Sequence, residues 1–309
     1  MNKQLSICIP TYNRAKKLEQ CIRGCIGKAA PLQIPIYVSD NGSTDQTQEV
    51  VAALQKEYPH IIYSRNETNK FFAYNINKIL NMPDTEYIWL MGDDDLLCDF
   101  NIEELLSILK EDAPDLVLLN GLQKGRVVFD IQENVCVRDR NELLANYGYQ
   151  STWMSLLVVK RALLTQAKFY DHNFEHTAEI FNALPDPMKA HILSTVYVRE
   201  DTGSDNYTRK TIELFVHDIA TLSDILHTYD SKARAVFCHK FEYPLTFLLR
   251  LRADNFISSQ HIAPYTEDLK KFSEQYYCKI SWVCMCPRFV LIPLYKIYTT
   301  FFKKRKSHE

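Results

Sequence analysis

Tyr87-Ile88-Trp89-Leu90-Met91 runs without interruption into Gly92-Asp93-Asp94-Asp95. A short, largely apolar run of this kind reads as a buried strand. The three carboxylates at its end repel one another unless a cation is shared between them. Carboxylate oxygens suit Mg²⁺ or Mn²⁺, ions that commonly bridge protein carboxylates and substrate phosphates. Asp93 and Asp95, two residues apart, converge on one ion if the loop turns there, and Asp94 then points toward backbone or sugar. The competing reading is an acidic turn that caps the following helix.

The context decides between them. Upstream, Leu5 to Ile9 reads as a buried strand, followed by a helix with apolar positions Leu18, Cys21, Ile22, Cys25 and Ile26 and Asn13 as its cap. Ile34 to Ser39 is a second strand, and Ser43 or Thr44 caps a helix carrying Val50, Val51, Leu54 and Tyr58. Ile61 to Tyr63 is a third strand, and Ala73, Ile76, Ile79 and Leu80 mark a third helix. Downstream of the acidic triplet, Ile102, Leu105, Leu106 and Leu109 form a fourth helix and Leu116 to Leu119 a fifth strand. Alternation of this kind predicts an α/β fold with a parallel sheet and right-handed crossovers. Ligands bind such sheets outside the carboxyl ends of the strands. That rule selects three loops, 10–14, 40–45 and 92–95, each richer in polar groups than a connector needs.

Beyond residue 120 the pattern changes. Val127 to Ile131 and Val135 to Arg138 read as a hairpin, Trp153 to Val159 as a strand, Phe181 to Leu184 as part of a short helix, and Ser194 to Arg199 as another strand. From about residue 208 the chain reads as helices, with long apolar-periodic stretches at 212–226 and 236–251. The expected division is a catalytic domain over 1–205, with nucleotide binding in 1–120 and the acceptor side in 121–205, and a helical region over 206–309. Residues 280–302 are rich in Trp, Val, Phe, Leu, Ile and Tyr and end in Lys303-Lys304-Arg305-Lys306. Arg288, Lys296 and two prolines make a full membrane span doubtful. An interfacial segment with a basic end suits an anionic lipid surface better.

The 309 residues are 46% hydrophobic and 24% charged, as in ordinary globular proteins, and the net charge of −2 argues against a nucleic-acid partner. Glycine is scarce at 8 residues, and neither phosphate-cradling glycine spacing occurs, so phosphate must be held by something else, such as a metal. Nine cysteines at irregular spacing read as small core residues in a reducing compartment. The first residues form a strand rather than a secretory signal, which predicts a cytoplasmic protein.

Ile9-Pro10-Thr11-Tyr12-Asn13-Arg14, then Val38-Ser39-Asp40-Asn41-Gly42-Ser43-Thr44-Asp45, then Asp93-Asp94-Asp95, resemble the inverting family 2 glycosyltransferases of the GT-A fold. The resemblance covers roughly the first 120 residues and extends to the bacterial surface-polysaccharide subgroup, including abequosyltransferase-like enzymes. It implies a mostly parallel, Rossmann-like sheet flanked by helices, with a helical extension. It implies that Pro10, Thr11, Tyr12 and Arg14 line the nucleotide pocket, that Asp40 binds base or ribose, and that Asn69 and Asn75 belong to a substrate-binding segment entering the third helix. The family often has Gly where Phe71 stands. Asp93 and Asp95 would form the metal-binding pair, with Asp95 the direct ligand, and Asp93 and Asp94 would touch substrate. A Glu-Asp pair expected before a later helix is Glu175-His176 here, so either residue is a candidate base, and His176 is also a candidate ligand. Glu200-Asp201 is a second candidate; with the polar residues 202–206 it reads better as a closing loop, with Arg199 near the diphosphate.

The implied reaction is a single displacement on a nucleotide-sugar donor, with Mn²⁺ or Mg²⁺ neutralising the leaving diphosphate and inversion at the anomeric carbon. The implied acceptor is a glycan or a polyprenyl-diphosphate-linked glycan at the inner membrane face, reached by peripheral contact through the 280–309 tail. Three rivals fit less well. A sugar-phosphate nucleotidyltransferase brings a glycine-rich loop, and a prenyl-diphosphate synthase needs DDxxD in an all-helical chain. An inactive scaffold would have no need of the intact acidic triplet.

Overall fold

Seven consecutive buried residues, Leu5–Thr11, make β1 an interior strand, flanked by a neighbour on each side. Burial on both faces is what a parallel strand flanked by helices requires, and it explains why the run shows no alternation. The structure is a computed structural model that describes residues 1–164, 168–201, 217–293 and 295. The polar segment 202–206, the first part of the 212–226 stretch and the basic run 303–306 lie outside the described residues.

After β1 come α1 (Ala15–Ala29), β2 (Ile36–Asp40), α2 (Thr47–Glu57), β3 (Ile61–Arg65), α3 (Phe71–Asn81) and β4 (Tyr87–Leu90). Then follow β5 (Asp95–Leu97), α4 (Ile102–Asp112), β6 (Leu116–Gln123), β7 (Arg126–Val127), β8 (Val135–Val137), α5 (Arg140–Tyr147), β9 (Leu157–Lys160), α6 (Arg161–Leu164), α7 (Glu175–Ala183) and β10 (Ala190–Glu200). The sheet order is β3-β2-β1-β4-β9-β6-β10-β5, with β7 on β6 and β8 on β10. Strands β3, β2, β1 and β4 are parallel, so their carboxyl ends share one edge. The sheet is nevertheless mixed: β9 is inserted antiparallel between β4 and β6. That insertion brings residues 153–156, which precede β9, to the carboxyl edge of β4.

Several local expectations are corrected. Residues 127–138 do not form a hairpin, because β7 pairs with β6 and β8 with β10. Residues 154–156 are a helical turn rather than strand, and β9 begins only at Leu157. Asn13 does not cap α1: it sits at φ 54°, with its Oδ1 accepting from the Thr44 amide at 2.7 Å. Nor do Ser43 or Thr44 cap α2. Both helices take their acceptor from Asp45, whose two oxygens receive the amides of Ala15 (2.9 Å) and Thr47 (3.1 Å). One carboxylate thus meets two helix N-termini, where negative charge is stabilised.

The chain divides into two compact units, Met1–Ser204 with Thr228–Asp230, and Asp205–His227 with Ser231–Glu309. The second is helical among its described residues. Leu248, Leu251, Ile257, Ile262, Leu269, Tyr276, Ile280 and Val283 form its core. The apolar stretch 236–251 is two helices, Ser231–His239 and Leu245–Ala253, separated where Pro244 withholds an amide and starts the second. Trp282, Met285, Phe289 and Val290 are exposed. No described helix is long and apolar enough to cross a membrane.

Candidate active site

A cavity of about 680 Å³ opens at the carboxyl edge of β1, β2 and β4. Its lining joins Pro10, Thr11, Tyr12 and Arg14 after β1, Asn41 after β2, and Gly92, Asp93 and Asp94 after β4. Asn69, Phe71, Phe72 and Asn75 come from the entry to α3, and Met154 and Asn173 close the far wall. The adjacent parallel strands β2, β1 and β4 make this convergence unavoidable, since each loop leaves the sheet at the same edge.

The charged wall is built from Asp93 and Asp94. Asp93 Oδ2 accepts from the Thr11 hydroxyl at 2.7 Å, and its Oδ1 from Arg14 Nη1 at 3.0 Å. Burial pushes the Asp93 carboxyl above its ordinary value, against the pull of Arg14 and Thr11. Asp94 Oδ2 lies 2.7 Å from Arg14 Nη1 and 3.8 Å from Lys17 Nζ. For Arg14, partial burial is outweighed by the two carboxylates, which raise its pKa. One guanidinium therefore holds both acids at the cavity wall.

Asp95 is arranged differently from the expectation. It opens β5 and pairs with Glu200 across the β5–β10 ladder. Its Oδ2 accepts from Trp153 Nε1 at 2.7 Å and from the Ser155 hydroxyl, and it does not line the cavity. Burial pushes its carboxyl up to about 7 despite those two donors. Gly92 permits the close packing. A Cβ there would meet Asp95 Oδ2 at 2.8 Å and Ser155 Oγ at 3.3 Å, and the Gly92 amide donates to Ser155 Oγ at 2.7 Å. The cavity-facing acids are Asp93 and Asp94.

Asp40 is also displaced from its expected place at the pocket. It is fully buried, and Oδ1 accepts the amide and hydroxyl of Ser43 at 2.8 and 2.6 Å. Oδ2 accepts from Tyr63 Oη at 2.6 Å, with Arg65 Nε 3.5 Å away. Its acceptors are thus used to shape the turn through Gly42, where φ is +81° and an added Cβ would meet the Thr68 carbonyl carbon at 2.8 Å, so a side chain is excluded. The residue that reaches the cavity is the next one, Asn41. Its Nδ2 donates to Asn69 Oδ1 and to the Phe71 carbonyl, both at 2.9 Å, and its Oδ1 accepts the Lys70 amide at 3.0 Å. Asn75 holds the rear of the same wall through two bonds to Ser39.

Glu175 and His176 begin α7, and neither lines the cavity. Both Glu175 oxygens accept the Tyr170 amide at 2.9 Å, and one turn on, Glu179 faces Glu175 and lies 3.5 Å from Asn77 Nδ2. Burial pushes the two carboxyls up, to about 8 and about 7. His176 is 2% exposed, and its Nε2 lies 3.3 Å from the Thr152 carbonyl oxygen. That acceptor assigns the proton to Nε2 and leaves the Nδ1 lone pair without a hydrogen bond. Burial drives the imidazole pKa down to about 4. The ring stands edge-on to Phe72, 6.3 Å between centroids, which separates it from the cavity. Expected metal ligation by His176 finds no support in this arrangement, and no cluster of three or more His, Cys, Asp or Glu side chains able to hold an ion occurs among the described residues. Arg199 lies in the β10 ladder opposite Leu96 and Leu122 and does not line the cavity.

Asn41, Phe71, Phe72, Met154 and Asn173 were not legible as site residues. Two of them carried a signal: Asn41 follows a strand end directly, and Phe71 stands where the resembled family often has Gly.

Residues 6–159 match glycosyl transferase family 2. An abequosyltransferase of Salmonella typhimurium is 32% identical over 130 residues, 41% of this chain and 39% of that one. A GalNAc(5)-diNAcBac-PP-undecaprenol β-1,3-glucosyltransferase of Campylobacter jejuni is 33% identical over 109 residues, 35% of each chain. The chain therefore spans less than half the length of these relatives. The crystal structure of Staphylococcus aureus TarS 1-349 in complex with UDP-GlcNAc superposes with a TM-score of 0.63 at 15% identity, covering 88% of this chain and 82% of that one. The GT-A fold expected from the sequence is thereby established, and residues 6–159 belong to glycosyl transferase family 2.

Proposed function

We propose that this protein transfers a sugar from a nucleoside-diphosphate sugar to a glycan or polyprenyl-diphosphate-linked acceptor in bacterial surface-polysaccharide synthesis, with inversion at the anomeric carbon. The observation that carries this reading is the convergence of Arg14, Asp93 and Asp94 on one wall of the 680 Å³ cavity. The PP-undecaprenol in the name of the Campylobacter jejuni relative supports the acceptor class.

Two adjacent carboxylates at an open cavity fit Mg²⁺ or Mn²⁺, which Asp94, with Asp93 beside it, would hold. Bound there, the ion supplies counter-charge to the departing diphosphate. Arg14, held by both acids, contributes a second, fixed positive charge to the same end of the donor. Thr11 orients Asp93, and Asn41, Asn69 and Asn75 shape the wall on which the nucleoside lies. His176 is the better placed of the two candidate bases. It is neutral and carries an unpaired Nδ1, whereas Glu175 is protonated near neutrality and has both oxygens engaged. It would take the acceptor proton through a shift of Phe72 as the acceptor enters.

A cytoplasmic protein resting peripherally on the membrane fits the exposed Trp282, Met285, Phe289 and Val290 together with the basic run at 303–306. Flotation with anionic vesicles tests that part.

The catalytic reading is tested by nucleoside-diphosphate release from UDP-, GDP-, CDP- and dTDP-sugars with Mn²⁺ or Mg²⁺. Metal-dependent turnover of one donor, lost in Asp94→Asn, is the expected result. Silence across the panel, with no nucleotide bound in calorimetry, would leave an inactive scaffold.

A further inference from the structure

Phe71 holds a backbone conformation that a bulky side chain rarely adopts. Its φ is 66°, in the left-handed region, and the residue is 79% exposed where it lines the cavity. An exposed ring adds almost nothing to core packing, so packing does not explain the strain. The conformation is imposed from both sides. The Phe71 amide donates to Asn69 Oδ1 at 2.8 Å, and its carbonyl accepts from Asn41 Nδ2 at 2.9 Å. Asn41 is also tied to the opposite wall, since its amide donates to the Thr11 carbonyl at 2.9 Å. One asparagine thus spaces the Phe71 backbone from the strand end that carries Tyr12, a second ring, 40% exposed, lining the same cavity.

We infer that Phe71 is a stacking platform for the nucleobase of the donor and that Tyr12 bounds the same slot. This rests on the nucleotide-sugar reading above and deepens it. Arg14, Asp93 and Asp94 fix the diphosphate at the charged wall. Phe72, edge-on to His176, forms with Met154 and Asn173 the wall where the acceptor hydroxyl must arrive. The wall left for the base is the uncharged one, Tyr12, Asn41, Asn69 and Phe71. A flat, weakly hydrated base gains most from a π-face on such a wall, and stacking tolerates any base. Strain kept for an exposed ring is then strain kept for binding.

The experiment is calorimetry of UDP, GDP, CDP and dTDP, and separately of inorganic pyrophosphate, with Mg²⁺, on wild type, Phe71→Gly and Phe71→Tyr. Phe71→Gly should weaken the nucleotide that wild type prefers by about tenfold, with pyrophosphate unchanged and the unfolding midpoint equal or higher, because glycine is unstrained at this φ. Phe71→Tyr should bind as wild type does. Equal nucleotide affinity in wild type and Phe71→Gly overturns the platform and leaves the donor reading standing. Loss of pyrophosphate along with nucleotide also overturns it, since the ring would then only be supporting the wall. Failure of wild type to bind any of the four nucleotides overturns the donor reading and the platform together.

Discussion

The Arg14 guanidinium lies 2.7 Å from the Asp94 carboxylate, and both side chains keep partial contact with solvent. An ion pair so placed adds little to stability, so its value must be sought in the ligand. Asp94→Asn should lower nucleoside-diphosphate release by about 10²–10³-fold, the scale of losing one group that stabilises developing charge. Its unfolding midpoint should stay within about 2 °C of wild type, as for other surface substitutions. Arg14→Gln should weaken donor binding and leave metal dependence in place. Steady-state kinetics over a metal titration, with thermal unfolding of each variant, checks both.

Asp95 should behave in the opposite way. Asp95→Ala leaves Trp153 Nε1 and the Ser155 hydroxyl unpaired beside Gly92, at a cost of about 2–4 kcal/mol. Asp95→Asn keeps an acceptor oxygen and should lose much less. Urea unfolding with an unchanged slope measures the difference. A fully stable Asp95→Ala protein without turnover would instead identify Asp95 as a metal ligand.

The Glu175–Glu179 pair makes stability depend on pH with a definite sign. Burial raises both carboxyls in the folded state, to about 8 and about 7, above the values they have when unfolded. Between the unfolded and folded values the native state binds more protons, so its stability falls as pH rises from about 4.5 toward 8. Glu179→Gln removes one titration and should be more stable than wild type at pH 8 by about 1–2 kcal/mol, the difference closing toward pH 5. Parallel denaturation curves at pH 5, 6.5 and 8 decide it, because groups outside the pair titrate alike in both proteins and Glu175, relieved of its charged neighbour, shifts the difference in the same direction.

The sheet was legible where the chain alternates strand and helix locally. Leu5 to Ile9 and Tyr87 to Met91 are buried on both faces, and the helices show their 3.6-residue stripe, so sequence alone located the edge at which the loops meet. What lay hidden was set by distant partners. The turn expected at the acidic triplet is present, with the Asp95 amide donating to the Gly92 carbonyl, but Asp95 leaves it into a strand whose ladder partner is Glu200. Asp40 is the last residue held between Thr11 and Arg65, whereas Asn41 is the first outside the β2–β3 ladder, a one-residue difference that exchanges wall for cavity. The antiparallel entry of β9 brought Trp153, Met154 and Ser155 to the site, and no local pattern announces it.

His176 offers the sharpest kinetic test. Its Nε2 proton faces the Thr152 carbonyl, and its unpaired Nδ1 is the atom that would take the acceptor's proton. Truncation to His176→Ala leaves a cavity, so His176→Asn is the better variant. It should lower kcat by about 10²–10⁴-fold, the range for loss of a positioned base, with donor affinity unchanged. The pH profile separates a base from a merely packed ring. Burial holds the imidazole pKa near 4, so the wild-type residue stays neutral from pH 5 to 8 and contributes no acid limb there. An ordinary imidazole would lose half its activity near pH 6.5. An acid limb at 6.5 that vanishes in His176→Asn would mean that His176 is far better solvated in the working enzyme than behind Phe72. A limb that persists in the variant belongs to another group, and Glu179→Gln identifies whether it is the neighbouring carboxyl pair.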